Sequence, residues 1–463
     1  MMRRLFYVNL LFFVCAGCMV GPDDQKFPEI NDSVLRKQMT TDKNMKISAT
    51  WYEDWDDPQL NRLIVVGLRN NTDVRTAISR LKQARAQLQM HAVQYLPSAD
   101  VQGGYNYQKS SRKIGYKENS QYYTAGFDAD WEIDLWGKGR RQIQGDEATR
   151  NAMEYNLKNV QAVVTAEIAM QYVFLAAAKE KLRLAEENTK LQRQIVQNVR
   201  AQFESGLTDE LSYRQAEYML ENTMSKIPRL KSDVEQYYNA LGVLVGEYPE
   251  NLTLKTDAVP QILKKAQKIS IDLLEKLPAD VVRKRPDVAA AEQNLIAQNA
   301  QVGMAVADLY PSVHISALWG FAAKSGRELF GSDSHTYSYA PLVQLPLLDW
   351  NKLQNNVRLQ KYIRDEYVAQ YKAIVLKAVS ELRNAMMQVR QNVTASKNQA
   401  RALEASRKMI SAVLSKYDNG LVDFSEVLTN EQRYLEAQDA YVTGKTSVLQ
   451  SVIAYYKAAG GGY

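Results

Sequence analysis

Residues 123 to 134 alternate strictly between apolar and polar side chains, which is the period of a β-strand. One parity carries Tyr123, Ala125, Phe127, Ala129, Trp131 and Ile133, and the other carries Thr124, Gly126, Asp128, Asp130, Glu132 and Asp134. Soluble sheets seldom place aromatics along one face and four carboxylates along the other. Lipid outside and water inside would explain both faces. The stretch therefore predicts a strand of a membrane barrel with Asp128, Asp130, Glu132 and Asp134 lining the lumen.

Three further stretches alternate in the same way, although Leu318 and two prolines, Pro341 and Pro346, interrupt the pattern. The four predicted strands cover residues ~98–110, ~121–135, ~312–323 and ~336–348. Strands of about ten residues suit a tilted crossing of a bilayer. No run of about eighteen apolar residues follows the N-terminus, so the sequence predicts no transmembrane helix.

Long helices are the second feature of the pattern. Residues 146 to 205 pass without a glycine or proline and carry apolar residues every three or four positions. At ~1.5 Å per residue this segment predicts a helix of about 90 Å. A return segment from 208 to 242 follows, interrupted only by Pro228, and an earlier helix is predicted from about 59 to 96. Few compact domains can hold a helix of that length.

The whole plan repeats after 214 residues. Asp73 matches Asp287, Pro97 matches Pro311, Trp136 matches Trp350 and Gly206 matches Gly420, each pair at that one offset. A constant offset indicates a duplicated unit. Each copy is predicted as a helix, two strands, a long helix and a return helix, in residues 49–245 and 272–463, with a mixed segment at 246–271 between them. The fold class is thus an α+β membrane protein of two tandem repeats.

The N-terminus has the features of a secretory signal in residues 1–17, with Arg3 and Arg4 before an apolar run. Ala16 and Gly17 then precede Cys18, which resembles a bacterial lipobox, although Cys15 stands where Leu is usual. Cleavage there leaves Cys18 without a cysteine to pair with. We therefore expect a covalent lipid on Cys18, followed by an extended strap over residues 18–48.

Composition changes this picture little. The 463 residues are 46% hydrophobic and 24% charged, and the formal charge of +6 is scattered, so nucleic-acid binding is not expected. The three histidines and two cysteines have no metal-ligand or catalytic-triad spacing, so no cofactor is predicted. An enzyme with a metal on the acidic strand is the weaker alternative, because same-face neighbours lie about 7 Å apart along a strand.

Four strands cannot close a barrel, since about eight is the smallest number known. Open sheet edges in lipid would leave backbone groups unpaired, so other copies of the chain must cover them. Three chains would give twelve strands, with the long helices forming a second hollow cylinder. A general porin has no use for such helices, and a periplasmic coiled-coil scaffold leaves the strands unexplained.

Several stretches resemble one family: CMVGPD at 18–23, WEIDLWGKGRR at 131–141, LPADVVRKRPDVAAAEQNLIAQNAQVGMAVADLYPS at 277–312, FESGL at 203–207 and YDNGL at 417–421. They resemble the outer membrane factors, the TolC-like channels, in the lipoprotein branch that serves RND-type efflux. The resemblance runs from Cys18 to the C-terminus. It implies a homotrimer in the outer membrane, with a twelve-stranded barrel continuous with a periplasmic helical barrel. It also implies a periplasmic adaptor and an inner membrane pump as partners, and a passive exit duct as the function.

The resemblance further implies a gate at the turn after residue 416. Glu426 matches a family acidic position, and Tyr417 matches the aromatic residue that pins neighbouring helices. Thr429 stands where a second acidic residue is usual, and Asp423 could take up part of its role. The alternative is that Asp423 and Glu426 simply begin a return helix, whose N-terminus favours acids.

Overall fold

The computed structural model describes residues 19–22, 39–40, 48, 50–109, 111, 113, 119–255, 257–269, 277–278 and 281–461. The predicted signal peptide, Cys18 and most of the strap lie outside these residues. The chain forms two compact units. Unit 1 comprises Met1–Pro28, Arg80–Glu154 and Ala290–Lys372, and unit 2 comprises Glu29–Ser79, Tyr155–Ala289 and Ala373–Tyr463.

Seven α-helices make up most of the described chain. They are α1 (Pro58–Asn70), α2 (Thr72–Gln94), α3 (Lys138–Glu204), α4 (Glu210–Val245), α5 (Pro286–Ala307), α6 (Trp350–Asp418) and α7 (Phe424–Ala458). The long helices α3 and α6 and the return helices α4 and α7 follow the predicted plan. The helix expected over residues 59–96 is instead divided at Asn71, whose Oδ1 accepts the backbone N–H groups of Asp73 and Val74 and so caps α2.

Helix α3 begins eight residues earlier than its glycine-free stretch. It contains Gly139 and Gly145, although glycine lowers the stability of an isolated helix. A Cβ on Gly139 would lie 2.6 Å from the ring of Tyr95, so the close approach of that ring requires a glycine. An 18-residue window of α3 has a mean hydropathy of 1.5, apolar enough to cross a membrane, but 61% of it is buried inside the protein. Buried core helices pass the same test.

Four of the described strands form one antiparallel sheet in unit 1: β2 (Ser98–Lys109), β3 (Asn119–Glu132), β5 (Ser312–Ala323) and β6 (His335–Gln344). Two further strands in unit 2, β1 (Met39–Thr40) and β4 (Leu277–Pro278), form a two-residue parallel ladder. The strand order in the antiparallel sheet is β2-β3-β5-β6. Val101, Phe127, Trp319 and Tyr337 are successive partners across the four strands. Phe127 is 52% exposed, Trp319 51% and Tyr337 82%. The apolar parity is therefore one continuous, uncovered aromatic face.

The duplication is visible in the element boundaries. Strands β2 and β5 begin at residues 98 and 312, the long helices end at 204 and 418, and the return helices begin at 210 and 424, always 214 apart. The match extends to a side-chain bond in unit 2. Asn71 donates to the carbonyl of Leu244 at 2.8 Å, and Arg285, its counterpart, donates to the carbonyl of Ala458 at 2.8 Å. In each repeat a buried polar residue thus joins the start of one helix to the end of the return helix.

Candidate channel-lining face and return turns

The polar parity of the sheet carries the predicted lumen residues. Asp128, Asp130 and Glu132 lie on one face of β3, since they are two residues apart on the strand. Asp100 on β2 is the direct partner of Asp128. Sequence reasoning missed Asp100, although it shares the parity of Gln102 one step further along β2. The acidic face therefore extends over two strands.

Two of these carboxylates accept hydrogen bonds from neutral neighbours. Nε2 of Gln102 donates to Oδ2 of Asp128 at 2.8 Å, and the hydroxyl of Ser316 donates to Oδ1 of Asp130. Neutral donors orient a carboxylate without cancelling its charge. The face consequently keeps a negative potential along β3.

Asp134 occupies a different place from the other three. Strand β3, predicted to reach residue ~135, ends at Glu132, and β6, predicted to reach ~348, ends at Gln344. The Asp134 carboxylate accepts the backbone N–H of Arg140 at 3.1 Å and lies 3.4 Å from its Nε. Asp134 thus binds the first turn of α3 rather than extending the row of strand carboxylates.

The second return turn, residues 419–423, joins α6 to α7 in unit 2. Gly420 has a φ of +67°, and its counterpart Gly206 has +71° in the first return turn, residues 205–209. The left-handed conformation favours glycine at both. Next to this turn the Tyr417 hydroxyl donates to Oε1 of Gln202 on α3 at 3.2 Å. Its ring lies 5.5 Å from that of Phe424. Tyr417 therefore connects α6 with α3 and with the start of α7.

Around Tyr417 the helices share a small apolar cluster. Its buried members come from α3, α4 and α7: Val199, Ala216, Phe424 and Val427. Tyr417 packs against them with its ring half-buried and its hydroxyl on Gln202. Loss of this side chain would remove both contacts at once.

The two acids after the turn remain at the surface. Asp423 occupies the N-cap position of α7 but makes no side-chain capping bond, whereas Asp209, its counterpart before α4, accepts the N–H of Ser212 at 2.9 Å. Hydrogen bonding to Ser212 lowers the pKa of Asp209. Glu426 is exposed in the first turn of α7, and the Thr429 hydroxyl donates to its own helix at Ser425. The capping role is realised at Asp209, and the Asp423 carboxylate does not take it.

A polar seam between α3 and α7 was not anticipated from the sequence. Three side-chain pairs cross it: Lys181 with Asp439, Asn188 with Gln438, and Gln192 with Glu431. Gln192 is 2% exposed, and its Nε2 donates to the Glu431 carboxylate at 2.9 Å. Burial raises the pKa of Glu431, and the bond from Gln192 opposes this in part. Each partner looks like an ordinary surface residue of its own helix, so only the packing reveals the pairs.

The raised pKa of Glu431 predicts a pH-dependent stability. Burial favours the protonated form of Glu431 in the folded state. The stability that this preference contributes to the fold is complete below the pKa of Glu431 in the unfolded chain, and it is lost as the pH rises through the pKa of Glu431 in the folded protein. Glu431→Gln should therefore raise the thermal unfolding midpoint at pH 8, with the gain shrinking towards pH 4. The exposed Glu436→Gln change is the control and should do neither. A gain that persists unchanged at pH 4 would refute the titration of Glu431 as its cause.

Comparison with known proteins places this geometry in a family. The model of the family described as outer membrane efflux protein matches residues 63–247 and 277–461, one match for each repeat. The probable outer membrane lipoprotein SilC of Salmonella typhimurium is 26% identical over 99% of this chain and 100% of its own length. The cation efflux system protein CusC of Escherichia coli K12 is 24% identical over 96% of each chain.

A solved structure gives the same result for the fold. The outer-membrane channel OprN matches 96% of this chain and 99% of its own, with a TM-score of 0.86 and 29% identity. The predicted fold class, the outer membrane location and the role as an efflux channel are confirmed. Two matched repeats, a sheet with one aromatic and one acidic face, and this full-length likeness together establish that the chain belongs to the outer membrane efflux protein family.

Proposed function

We propose that three copies of this chain form the passive exit duct of a tripartite system, fed by an RND-type inner membrane pump through a periplasmic adaptor. The observation that carries the trimer is the four-stranded sheet. In the described part of the chain, the outer edges of β2 and β6 adjoin no further strand. In lipid such edges need partners, and three copies with four strands each supply a closed ring of twelve.

The duct itself is proposed to carry out no chemistry. The family to which the chain belongs is one of outer membrane efflux proteins. A wide aqueous lumen discriminates weakly between solutes, so the pump would choose the cargo and supply the energy. The acidic face of the sheet would favour cations through its summed potential.

Mass and ion selectivity test this assembly. Purified protein in detergent should have the mass of three mature chains, and it should conduct with a preference for cations. One chain with its signal peptide has a mass of 52.6 kDa. Asp128→Asn combined with Asp130→Asn should lower the cation-to-anion permeability ratio, most clearly at low salt. Asp134→Asn should lower it less, because Asp134 lies beyond the strand. A monomer, or anion preference at low salt, would contradict the proposal.

A second element of the proposal is the lipid anchor on Cys18. SilC carries the word lipoprotein in its name, and the cysteine follows a small-residue pair in this chain. Cys18→Ser should abolish incorporation of labelled fatty acid. Cys15→Leu, which restores the residue usual in a lipobox, should keep the label. Label that persists on the Cys18→Ser protein would rule out this site of attachment.

The third element is closure at rest by the second return turn. Tyr417 would hold α6 against α3, and Asp423 and Glu426 from three copies would form a ring of exposed carboxylates. Like charges around one axis repel, so the closed state needs the contacts of Tyr417 to persist. The adaptor would open the duct by replacing those contacts.

A further inference from the structure

Residues 19–22, which directly follow Cys18, lie in a cradle within unit 1. The Val20 N–H donates to the carbonyl of Trp136 at 3.1 Å. The Arg141 guanidinium donates to the carbonyl of Val20 from Nε at 3.1 Å and to that of Gly21 from Nη2 at 3.2 Å. Nδ2 of Asn299 donates to the carbonyl of Pro22 at 3.1 Å. Three consecutive carbonyls of the segment are thus bound by two side chains.

Arg141 is the central residue of this cradle. It is 1% exposed, one of the largest fully buried side chains of the described chain. A buried guanidinium is unfavourable unless its N–H groups are hydrogen-bonded. The Val20 and Gly21 carbonyls accept two of them, and Oε1 of Gln144 accepts another at 2.9 Å. The segment therefore supplies acceptors that the buried charge requires, so Arg141 and residues 19–22 stabilise each other.

Three glycines allow the backbones to approach. A Cβ on Gly303 would lie 2.8 Å from Cδ of Arg141, and one on Gly21 would lie 2.6 Å from Cα of Gly303. Gly137 has a φ of +78°, and a Cβ there would lie 2.8 Å from Cγ of Met19. Any side chain at these positions would displace either Arg141 or the segment. The cradle is therefore shaped for the backbone of residues 19–22.

Three of the five sequence stretches that resemble the family meet at this point. Residues 19–22 belong to CMVGPD, Trp136, Gly137 and Arg141 belong to WEIDLWGKGRR, and Asn299 and Gly303 belong to the stretch at 277–312. The strand faces account only for Trp131, Glu132 and Ser312 of these three stretches, and the return turns account for none of their residues. Trp136 lies between the end of β3 and the start of α3, so the segment is held where the sheet gives way to helix.

We infer that Trp136, Gly137, Arg141, Asn299 and Gly303 form a receptor for the peptide that follows the acylated cysteine, and that it fixes the lipid anchor beside the end of β3 to promote outer membrane assembly. The inference rests on the proposed acylation of Cys18. A loose strap between Cys18 and the β1 ladder at Met39 would let the cysteine range over about 25 Å. With Met19 held, Cys18 is one Cα step of ~3.8 Å from a fixed residue.

A fixed anchor acts differently from a loose one. A lipid on a loose strap only keeps the chain near the membrane, whereas a lipid at a fixed point also orients the adjacent end of the sheet for insertion. The advantage is one of effective concentration and orientation. Removing the cradle should therefore reduce the benefit of acylation without preventing acylation itself.

A double-mutant cycle in the full-length protein tests this inference. Arg141→Met and Cys18→Ser are made separately and together, and Arg140→Met serves as the matched control because Arg140 is exposed and contacts Asp134. The measurements are labelled fatty acid and the amount of assembled trimer in the outer membrane. Arg141→Met should keep the label and lower assembled trimer about tenfold. Trimers that do assemble should conduct as the parent does.

The cycle separates positioning of the anchor from general stability. In the Cys18→Ser background Arg141→Met should lower assembly by less than twofold, because no anchor remains to be positioned. An equal loss in both backgrounds, or no loss in the acylated chain, would overturn the inference. Gly303→Ala, which displaces Arg141 but keeps its charge, should reproduce the non-additive pattern. If the parent protein carries no labelled fatty acid, Cys18 is not acylated and the proposed lipid anchor is ruled out. The label measurement reports this outcome independently of the amount of assembled trimer.

Discussion

Replacing both Tyr417 and Glu426 with alanine is expected to raise the ratio of open to closed channel about a hundredfold. The Tyr417 hydroxyl bonds to Gln202 and its ring contacts Phe424, so each subunit loses a hydrogen bond and a ring contact. One such bond contributes about 1 kcal/mol, and three subunits together lose about 3 kcal/mol, which is roughly a hundredfold in an equilibrium. Single-channel recording of the purified trimer measures the change, and cells should become sensitive to large antibiotics.

The two substitutions act through different forces. Tyr417→Ala removes the contact that is proposed to hold the closed state, and it should account for the opening of the double mutant. Glu426→Ala removes an exposed carboxylate from the proposed ring and relieves repulsion between like charges there, so alone it should widen the open pore and shift the equilibrium slightly towards the closed state. Tyr417→Phe, which keeps the ring and loses the bond to Gln202, should give an intermediate result.

The first repeat provides the control for this prediction. Phe203 stands 214 residues before Tyr417, on α3, and stacks on Tyr213 at 5.9 Å. Phe203→Ala should disturb the first return turn to a similar degree yet leave conductance unchanged. Unchanged conductance in the Tyr417 and Glu426 double mutant would move the gate away from the second return turn.

Arg285→Met is expected to lower the free energy of unfolding of unit 2 by about 2–3 kcal/mol. Arg285 is 6% exposed and joins three helices. It bonds to the Asp287 carboxylate through Nε at 3.0 Å and Nη2 at 2.7 Å, to Glu381 on α6 at 2.7 Å, and to the carbonyl of Ala458 at the end of α7. Its loss leaves two carboxylates without this partner. Both are partly exposed, so the effect should fall below that of a fully buried pair.

The midpoint of urea unfolding, followed by circular dichroism, measures this effect. Arg283→Met is the control, since Arg283 is exposed two residues away and should shift the midpoint little. Asn71→Ala tests the counterpart in the first repeat. It removes a neutral cap and one bond to Leu244, so about 1 kcal/mol is expected. An Arg285→Met midpoint equal to that of Arg283→Met would contradict the role assigned to this cluster.

Local patterns account for the features that the sequence predicted. Alternation places side chains on opposite faces of a strand whatever the neighbours are, so the aromatic and acidic faces of β3 were readable from parity. The long helices follow from stretches without glycine or proline, and the duplication from one constant offset. The return turns follow from glycines that adopt a left-handed conformation. Each of these depends on residues close together in the chain.

Contacts between distant residues decided the rest. The ring of Tyr95 lies against Gly139 in the first turn of α3, 44 residues away in the chain. The raised pKa of Glu431 depends on burial against α3 from a site 239 residues away in the chain. The cradle of residues 19–22 brings together three stretches of the chain. Their sequences resemble the family, but the sequences do not reveal that the stretches contact one another. The sequence by itself therefore determined the faces, the types and the repeats of the elements, because their periods are local. Only the tertiary structure decided which polar groups meet, because burial and pairing depend on side chains brought together by folding.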